Sequence, residues 1–210
     1  MAKGSGMIHP NMATMLVFDT TDVDISPEML QKAVSEDVKT SFNMITVDGD
    51  TSTNDMLCAM ASGLAGNEKI TEENEDYFTF AAARNAGTVK LGRMIAKDGE
   101  GATKLLECNV SGAKTREDAV KAAKSVVGSA LFKAAMFGAD ANWGRVLCAV
   151  GYSGADTDVN KIGVSFSSKA GKITVCKAGA GVPFSEEKAK TILGEDEIEI
   201  NVTLCDGDCS

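Results

Sequence analysis

The sequence predicts an α/β or α+β protein, with a helix-covered sheet over residues 1–100 and a smaller α+β unit over residues 101–210. Three observations lead there. Short apolar runs of strand length alternate with longer stretches whose apolar residues recur every three or four positions. Hydroxyl residues stand where several of those helical stretches begin, as helix caps do. A glycine-flanked acidic turn, Asp98-Gly99-Glu100-Gly101, separates a long helical stretch from a fresh strand-like run and sets the boundary near Gly101.

Met15-Leu16-Val17-Phe18 reads as a buried strand that enters a polar turn over residues 19–24. Ser26, Pro27 and Glu28 form a helix start: a hydroxyl cap, a residue whose φ is already set, and an acid in the first turn. Leu30, Ala33, Val34, Val38 and Phe42 then share one face. Met56, Met60 and Leu64 fall four apart, which predicts a second helix over residues 53–64, with Thr53 at its cap and Gly66 beyond its end. A third helical stretch covers residues 71–96, where Gly87 and Gly92 allow an interruption. In the second unit, 105–110 is strand-like, 116–132 helical and 146–150 strand-like. Residues 162–166 and 173–176 make a hairpin, Ser185 caps a short helix ending at Gly194, and Ile198, Ile200, Val202 and Leu204 alternate as in a half-buried strand.

Composition narrows the function. Of 210 residues, 30 are acidic and 21 basic, for a net charge of −9, and no block of lysines or arginines stands out. A concentrated positive surface is what nucleic acid or an anionic membrane demands, so neither partner is expected, and a small-molecule enzyme is. Cys58, Cys108, Cys148, Cys176, Cys205 and Cys209 give no C-x-x-C pair and read as thiols in a reducing compartment. No secretory h-region and no run of roughly 18 apolar residues is present, so a cytoplasmic location is expected.

The chemistry centres on the Ala13-Thr14 bond. A threonine hydroxyl is a poor nucleophile at neutral pH. If the bond before Thr14 is cut, however, that residue gains an α-amino group of pKa ~7.7–8.0, a base within reach of its own hydroxyl. That is the N-terminal-threonine form of covalent catalysis. Ala-Thr dipeptides are common, and spacing alone favours a plain loop feeding an edge strand.

Four motifs shift that balance. Lys3-Gly4-Ser5-Gly6-Met7-Ile8-His9-Pro10-Asn11-Met12-Ala13-Thr14-Met15-Leu16 is followed by Asp48-Gly49-Asp50-Thr51-Ser52-Thr53-Asn54-Asp55, by Asp98-Gly99-Glu100-Gly101-Ala102-Thr103-Lys104 and by Asn142-Trp143-Gly144-Arg145. In that order they closely resemble the bifunctional arginine-biosynthesis family of ornithine acetyltransferases, or glutamate N-acetyltransferases, along essentially the whole chain. The resemblance implies self-cleavage between Ala13 and Thr14, with Thr14 as nucleophile. It implies that Lys3, Thr14 and Glu100 bind substrate. The implied reaction moves an acetyl group from N-acetylornithine to glutamate through an acetyl-threonine, with ping-pong kinetics. No cofactor is implied, although some members take acetyl-CoA as donor, which leaves its use here open. The implied partner is the α segment of the same precursor, in a heterotetramer of two α and two β chains.

Family members are about twice as long. By resemblance the chain covers the cleavage junction and most of the β segment, and lacks the α segment, with its oxyanion-hole threonine-glycine pair, and the C-terminal tail with its asparagine and hydroxyl residue. The expectation is a fragment, inactive alone, and a reading frame opening at an internal methionine would explain Met1. Two other classes stay open: an amide hydrolase or aminopeptidase of the same fold family, in which water accepts the acyl group, and a non-catalytic remnant.

Other motifs are weaker. The residues 48–55 resemble a calcium loop only superficially, since Thr53 takes its glycine position and Ala59 that of the bidentate glutamate. The stretch reads as a polar turn at the edge of the site, and no metal site is expected. Gly151-Tyr152-Ser153-Gly154-Ala155 lacks the last glycine of a nucleophile elbow. Gly179-x-Gly181 runs on to Phe184, so the dinucleotide fingerprint fails. His9 reads as structural, and the 140–145 segment as a packed connection.

Overall fold

The computed structural model describes residues 1–11 and 14–210, which form two compact units, Met1–Ala102 and Thr103–Ser210. In the first, strands β1 (Ala2–Lys3), β2 (Leu16–Thr21) and β3 (Met56–Ala61) form a sheet in that order. β1 runs antiparallel to β2, with Ala2 opposite Val17 and Lys3 opposite Leu16. β2 and β3 are parallel, Leu16 to Met56 through Thr21 to Ala61.

Two helices accompany this sheet. α1 (Pro27–Asp37) starts where the sequence places it, with the Ser26 hydroxyl accepting the Met29 N–H at 3.3 Å. α2 (Glu75–Lys97) starts at Asn74, whose side chain accepts the Tyr77 N–H at 2.9 Å. The inner face of the sheet, with Val17 buried and Leu57 packed beside it, meets Ile95 and Leu91 of α2 and Phe42. The other face keeps Phe18, Met56 and Met60 exposed. Helices therefore cover one face of this sheet, not both.

Several elements differ from expectation. β2 continues through Thr21, where a turn is predicted from Asp19. α1 stops at Asp37, and Phe42 enters the core from a separate 3₁₀ turn, Phe42–Met44. The predicted helix over 53–64 is the strand β3. Its methionine spacing fits a helix, but pairing with β2 gives a six-residue run a full ladder, and tertiary pairing outweighs local periodicity in so short a segment. Thr53 accordingly caps nothing, and its hydroxyl donates to Asn54 Oδ1 at 2.7 Å. α2 passes through Gly87 and Gly92 unbroken. A glycine costs a helix about 1 kcal/mol, and Gly92 is buried against the Phe42–Met44 turn, where a Cβ would sit 3.5 Å from Ile45 Cγ2.

The second unit holds a five-stranded sheet in the order β4-β8-β5-β6-β7. Its strands are β4 (Leu105–Ser111), β5 (Gly163–Ser168), β6 (Gly171–Lys177), β7 (Ala180–Gly181) and β8 (Glu197–Thr203). β4 and β8 are parallel, and the other pairs are antiparallel. The helices are α3 (Arg116–Gly128), α4 (Ala130–Phe137), α5 (Trp143–Gly151) and α6 (Glu186–Leu193). Phe132 of α4 stacks on Phe166 of β5 with ring centres 6.4 Å apart, and Val146, Ile192, Ile200 and Val202 fill the same core.

Here too two expectations change. The helix predicted over 116–132 breaks at Ser129, which ends α3 and caps α4 by accepting the Phe132 N–H at 3.3 Å. The strand predicted over 146–150 is helix α5, opened by the Asn142 side chain accepting the Arg145 N–H at 3.2 Å. A five-residue apolar run fits a buried strand and a buried helix equally well, and the cap decides between them.

Candidate active site

The site grows from two segments of the first unit that run side by side. Ile8 C=O accepts the Val47 N–H at 2.7 Å, and His9 C=O accepts the Thr51 hydroxyl at 2.9 Å. Met15 N–H donates to Asp55 Oδ1 at 2.5 Å, and Met15 C=O accepts the Met56 N–H at 2.8 Å. The segment leading to β2 is thus laced along residues 47–56 before the strands begin.

Asp48 anchors the start of this lacing. Its Oδ2 accepts the Met7 N–H at 2.6 Å, and its Oδ1 accepts from Ile8 at 3.1 Å and from Asp50 at 3.0 Å. Burial alone would raise its carboxyl. The amides of Asp50, Met7 and Ile8 outweigh that and hold it below the usual carboxylate range. Met7 adopts φ 56°, a left-handed conformation that costs a side-chain-bearing residue about 1–2 kcal/mol. The Asp48 carboxylate on its N–H offsets that strain.

Lys3, Thr14 and Glu100 are brought into one neighbourhood by backbone pairing. Lys3 is exposed at the end of β1, opposite Leu16, two residues beyond Thr14. Glu100 is exposed in the turn after α2, and its N–H donates to Ser5 C=O at 2.9 Å. A Cβ on Gly6 would lie 2.7 Å from Glu100 Oε2, so the missing side chain is what lets the carboxylate settle there. Thr14 directly precedes β2, and its Oγ1 is shielded from solvent with no hydrogen-bond partner among the described residues. Ala13 lies outside the described residues.

A buried hydroxyl without a partner costs about 1–3 kcal/mol. An open groove of about 800 Å³ runs between residues 2–5 and the last turns of α2, lined by Lys3, Ser5, Leu91, Met94 and Asp98 among others. Among the described residues, no group of three or more His, Cys, Asp or Glu side chains is placed to hold a metal ion. No helix among them is long and apolar enough to cross a membrane.

The position of Gly6 gives a direct check on Glu100. Gly6→Ala should displace the carboxylate by steric contact while leaving the fold intact, because the obstructing atom is the end of a flexible side chain. The expected result is a thermal midpoint within about 2 °C of wild type, with only the Glu100 side chain displaced.

Two contributors escape the sequence. Asp48 and Asp55 fall within the polar turn read there, but their partners, Met7, Ile8 and Met15, are about forty positions away, and spacing holds no trace of them. The 140–145 segment opens α5 of the second unit, so it precedes a helix, where a strand is predicted.

Fold and site together define a mixed α/β protein with a shielded threonine hydroxyl directly before the central strand of a three-stranded sheet. The profile of the ArgJ family matches residues 1–210, and the chain belongs to that family. It is 55% identical over 207 residues to the arginine biosynthesis bifunctional protein ArgJ 1 of Clostridium acetobutylicum, covering 99% of this chain and 51% of that protein. Against the arginine biosynthesis bifunctional protein of Geobacillus stearothermophilus it is 51% identical, covering 99% and 50%. The chain spans about half the length of these curated relatives. A crystal structure of the arginine biosynthesis bifunctional protein from Bacillus halodurans superposes with a TM-score of 0.88 at 47% identity, over 93% of this chain and 91% of that one.

Proposed function

We infer that the chain provides the nucleophile of an acetyltransferase that moves the acetyl group of N-acetylornithine to glutamate. The observation that carries this reading is the shielded Thr14 hydroxyl, without a hydrogen-bond partner among the described residues, in a chain of the ArgJ family.

In the first stage, Thr14 Oγ1 attacks the Ala13 carbonyl carbon, the Thr14 nitrogen leaves as an amine, and water hydrolyses the resulting ester. The products are an Ala13 carboxylate and a chain that begins with Thr14. In the second stage the freed α-amine takes the proton from Oγ1, which attacks the acetyl carbonyl of N-acetylornithine. Ornithine departs with that proton, and the amine of glutamate then takes the acetyl group from Thr14. Splitting one transfer into two keeps each barrier low. Lys3 holds a substrate carboxylate or polarises the carbonyl, and Glu100 receives the substrate's ammonium group.

Each tetrahedral intermediate needs hydrogen-bond donors on its oxyanion, worth roughly 2.7–4 kcal/mol per donor. These donors come from an α segment that partners this chain, within a heterotetramer of two copies of each. The reaction as written calls on no metal or cofactor, and acetyl-CoA enters only if it replaces N-acetylornithine as donor.

The test uses the chain extended to the full length of its relatives. Ornithine release from N-acetylornithine should depend on glutamate and follow ping-pong kinetics. Release at the same rate without glutamate would instead show an amide hydrolase. Lys3→Ala and Glu100→Ala should each lower kcat/KM by at least about tenfold, equivalent to about 1.4 kcal/mol, with little change in thermal midpoint because both side chains are exposed. Wild-type kinetics in both variants would remove them from the site.

A further inference from the structure

We propose that Asp55 is the positioning residue of the Thr14 nucleophile. The inference rests on the reaction proposed above and adds a residue to it. Asp55 Oδ1 accepts the Met15 N–H at 2.5 Å, and the next residue, Met56, donates its N–H to Met15 C=O at 2.8 Å. Both polar groups of the Met15 backbone are therefore held by two consecutive residues of one segment. The Met15 side chain is fully buried against Ile8, Val17 and Phe42. Thr14 hangs from this clamped residue by one peptide bond.

The consequence differs before and after cleavage. In the uncut chain, the clamp fixes the Thr14 carbonyl side, so the remaining freedom of Oγ1 lies in the Thr14 torsions. After cleavage Thr14 is a chain terminus, and termini fray unless tied down. The Asp55–Met15 bond is then the first tie along the new chain. The Met56 N–H on Met15 C=O holds the same residue from its other side, so what the role demands is an acceptor oxygen at this place. Misplacing reacting groups by about 1 Å can cost a hundredfold in rate, so the position of this acceptor governs chemistry more than binding. Asp55 touches neither substrate nor the reacting atoms in this scheme.

The experiment again uses the chain at the full length of its relatives and follows self-cleavage by intact mass, with kcat and KM for the mature enzyme. Asp55→Ala removes the acceptor, and Asp55→Glu keeps the charge while shifting the acceptor by about one bond length, ~1.5 Å. Both should slow cleavage at least about tenfold and lower kcat with KM within about twofold. Asp55→Asn keeps an acceptor oxygen in place and should recover most of both rates, a pattern that a loss of stability would not produce. Should the alanine variant fail to fold, the glutamate and asparagine variants decide between them. Cleavage at the wild-type rate in Asp55→Glu, or no recovery in Asp55→Asn, would overturn the role while leaving the reaction standing. A wild-type chain that never cleaves would overturn the reaction and this role with it.

Discussion

Thr14→Val should abolish both self-cleavage and acetyl transfer without destabilising the fold. Valine keeps the shape of threonine and replaces only the hydroxyl with a methyl, so nothing remains to attack the Ala13 carbonyl, and no acetyl ester can form. Removing the nucleophile of a covalent enzyme commonly costs more than about 10⁴-fold in kcat. The expected product is a single uncut chain by intact mass and no ornithine release above background. Stability should move the other way. The Thr14 hydroxyl is shielded and has no hydrogen-bond partner among the described residues, and burying such a group costs about 1–3 kcal/mol. Relief of that cost should leave the valine variant as stable as the uncut wild-type chain, or more so. Thr14→Ser, which keeps the hydroxyl, should cleave more slowly yet still cleave. Normal processing in Thr14→Val would eliminate the threonine mechanism outright.

The contrast between legible and illegible parts of this chain follows the range of the interactions involved. The starts of α1 and α6 are written locally: Ser26 and Ser185 each accept the amide three residues ahead, Met29 and Lys188. A cap and its partner lie within one turn, so sequence spacing shows both. The hairpin of β5 and β6 is equally local, its partners meeting at Ser168 and Gly171. β3 is the opposite case. Its ladder partner, β2, lies forty positions upstream, and the run 56–61 alone holds a helical spacing that only the partner overrules. α5 shows a local signal outweighed by another: Asn142 is a good cap, yet the apolar run 146–150 reads as a strand.

The same division applies to the site. The chemistry of a threonine after a cleavable bond is legible at Thr14, whereas Lys3 and Glu100 stand out only through the family resemblance. The structure supplies a physical link between them: the β1–β2 register carries Lys3 to Leu16, and the Glu100 amide ties its turn to Ser5. Asp55 stands in one of the motifs that carry the resemblance, but the resemblance implies no role for it. Its role depends on a carboxylate and an amide forty residues apart meeting at one point, which no periodicity encodes.

A second long-range device, unseen in the sequence, should dominate the stability of the first unit. Arg84 of α2 is buried, with only 4% of its side chain exposed. Its Nε donates to Asp19 Oδ2 of β2 at 2.8 Å, and its Nη1 lies 2.6 Å from Asp37 Oδ2 at the end of α1, close enough for an ion pair but outside hydrogen-bond alignment. Asp37 is as deeply buried, and its Oδ1 also accepts from Asn85 at 2.7 Å and from Thr88 at 2.9 Å. One guanidinium thus joins both helices to the strand that Thr14 heads. Arg84→Met should leave the Asp37 carboxylate buried without a cation, and breaking a buried pair from one side costs about 3–5 kcal/mol. The loss should appear in hydrogen exchange as faster opening of the α1 and α2 amides, while those of α3 and α6 in the second unit keep their protection. Adding Asp37→Leu should restore much of it, since the stranded charge is then gone. A drop below about 1 kcal/mol in Arg84→Met would show that water reaches Asp37 and that the pair is not the lock described. Cleavage in this variant should fall only as far as folding does and return on cooling. A loss caused by Thr14→Val would survive any temperature at which the chain is folded.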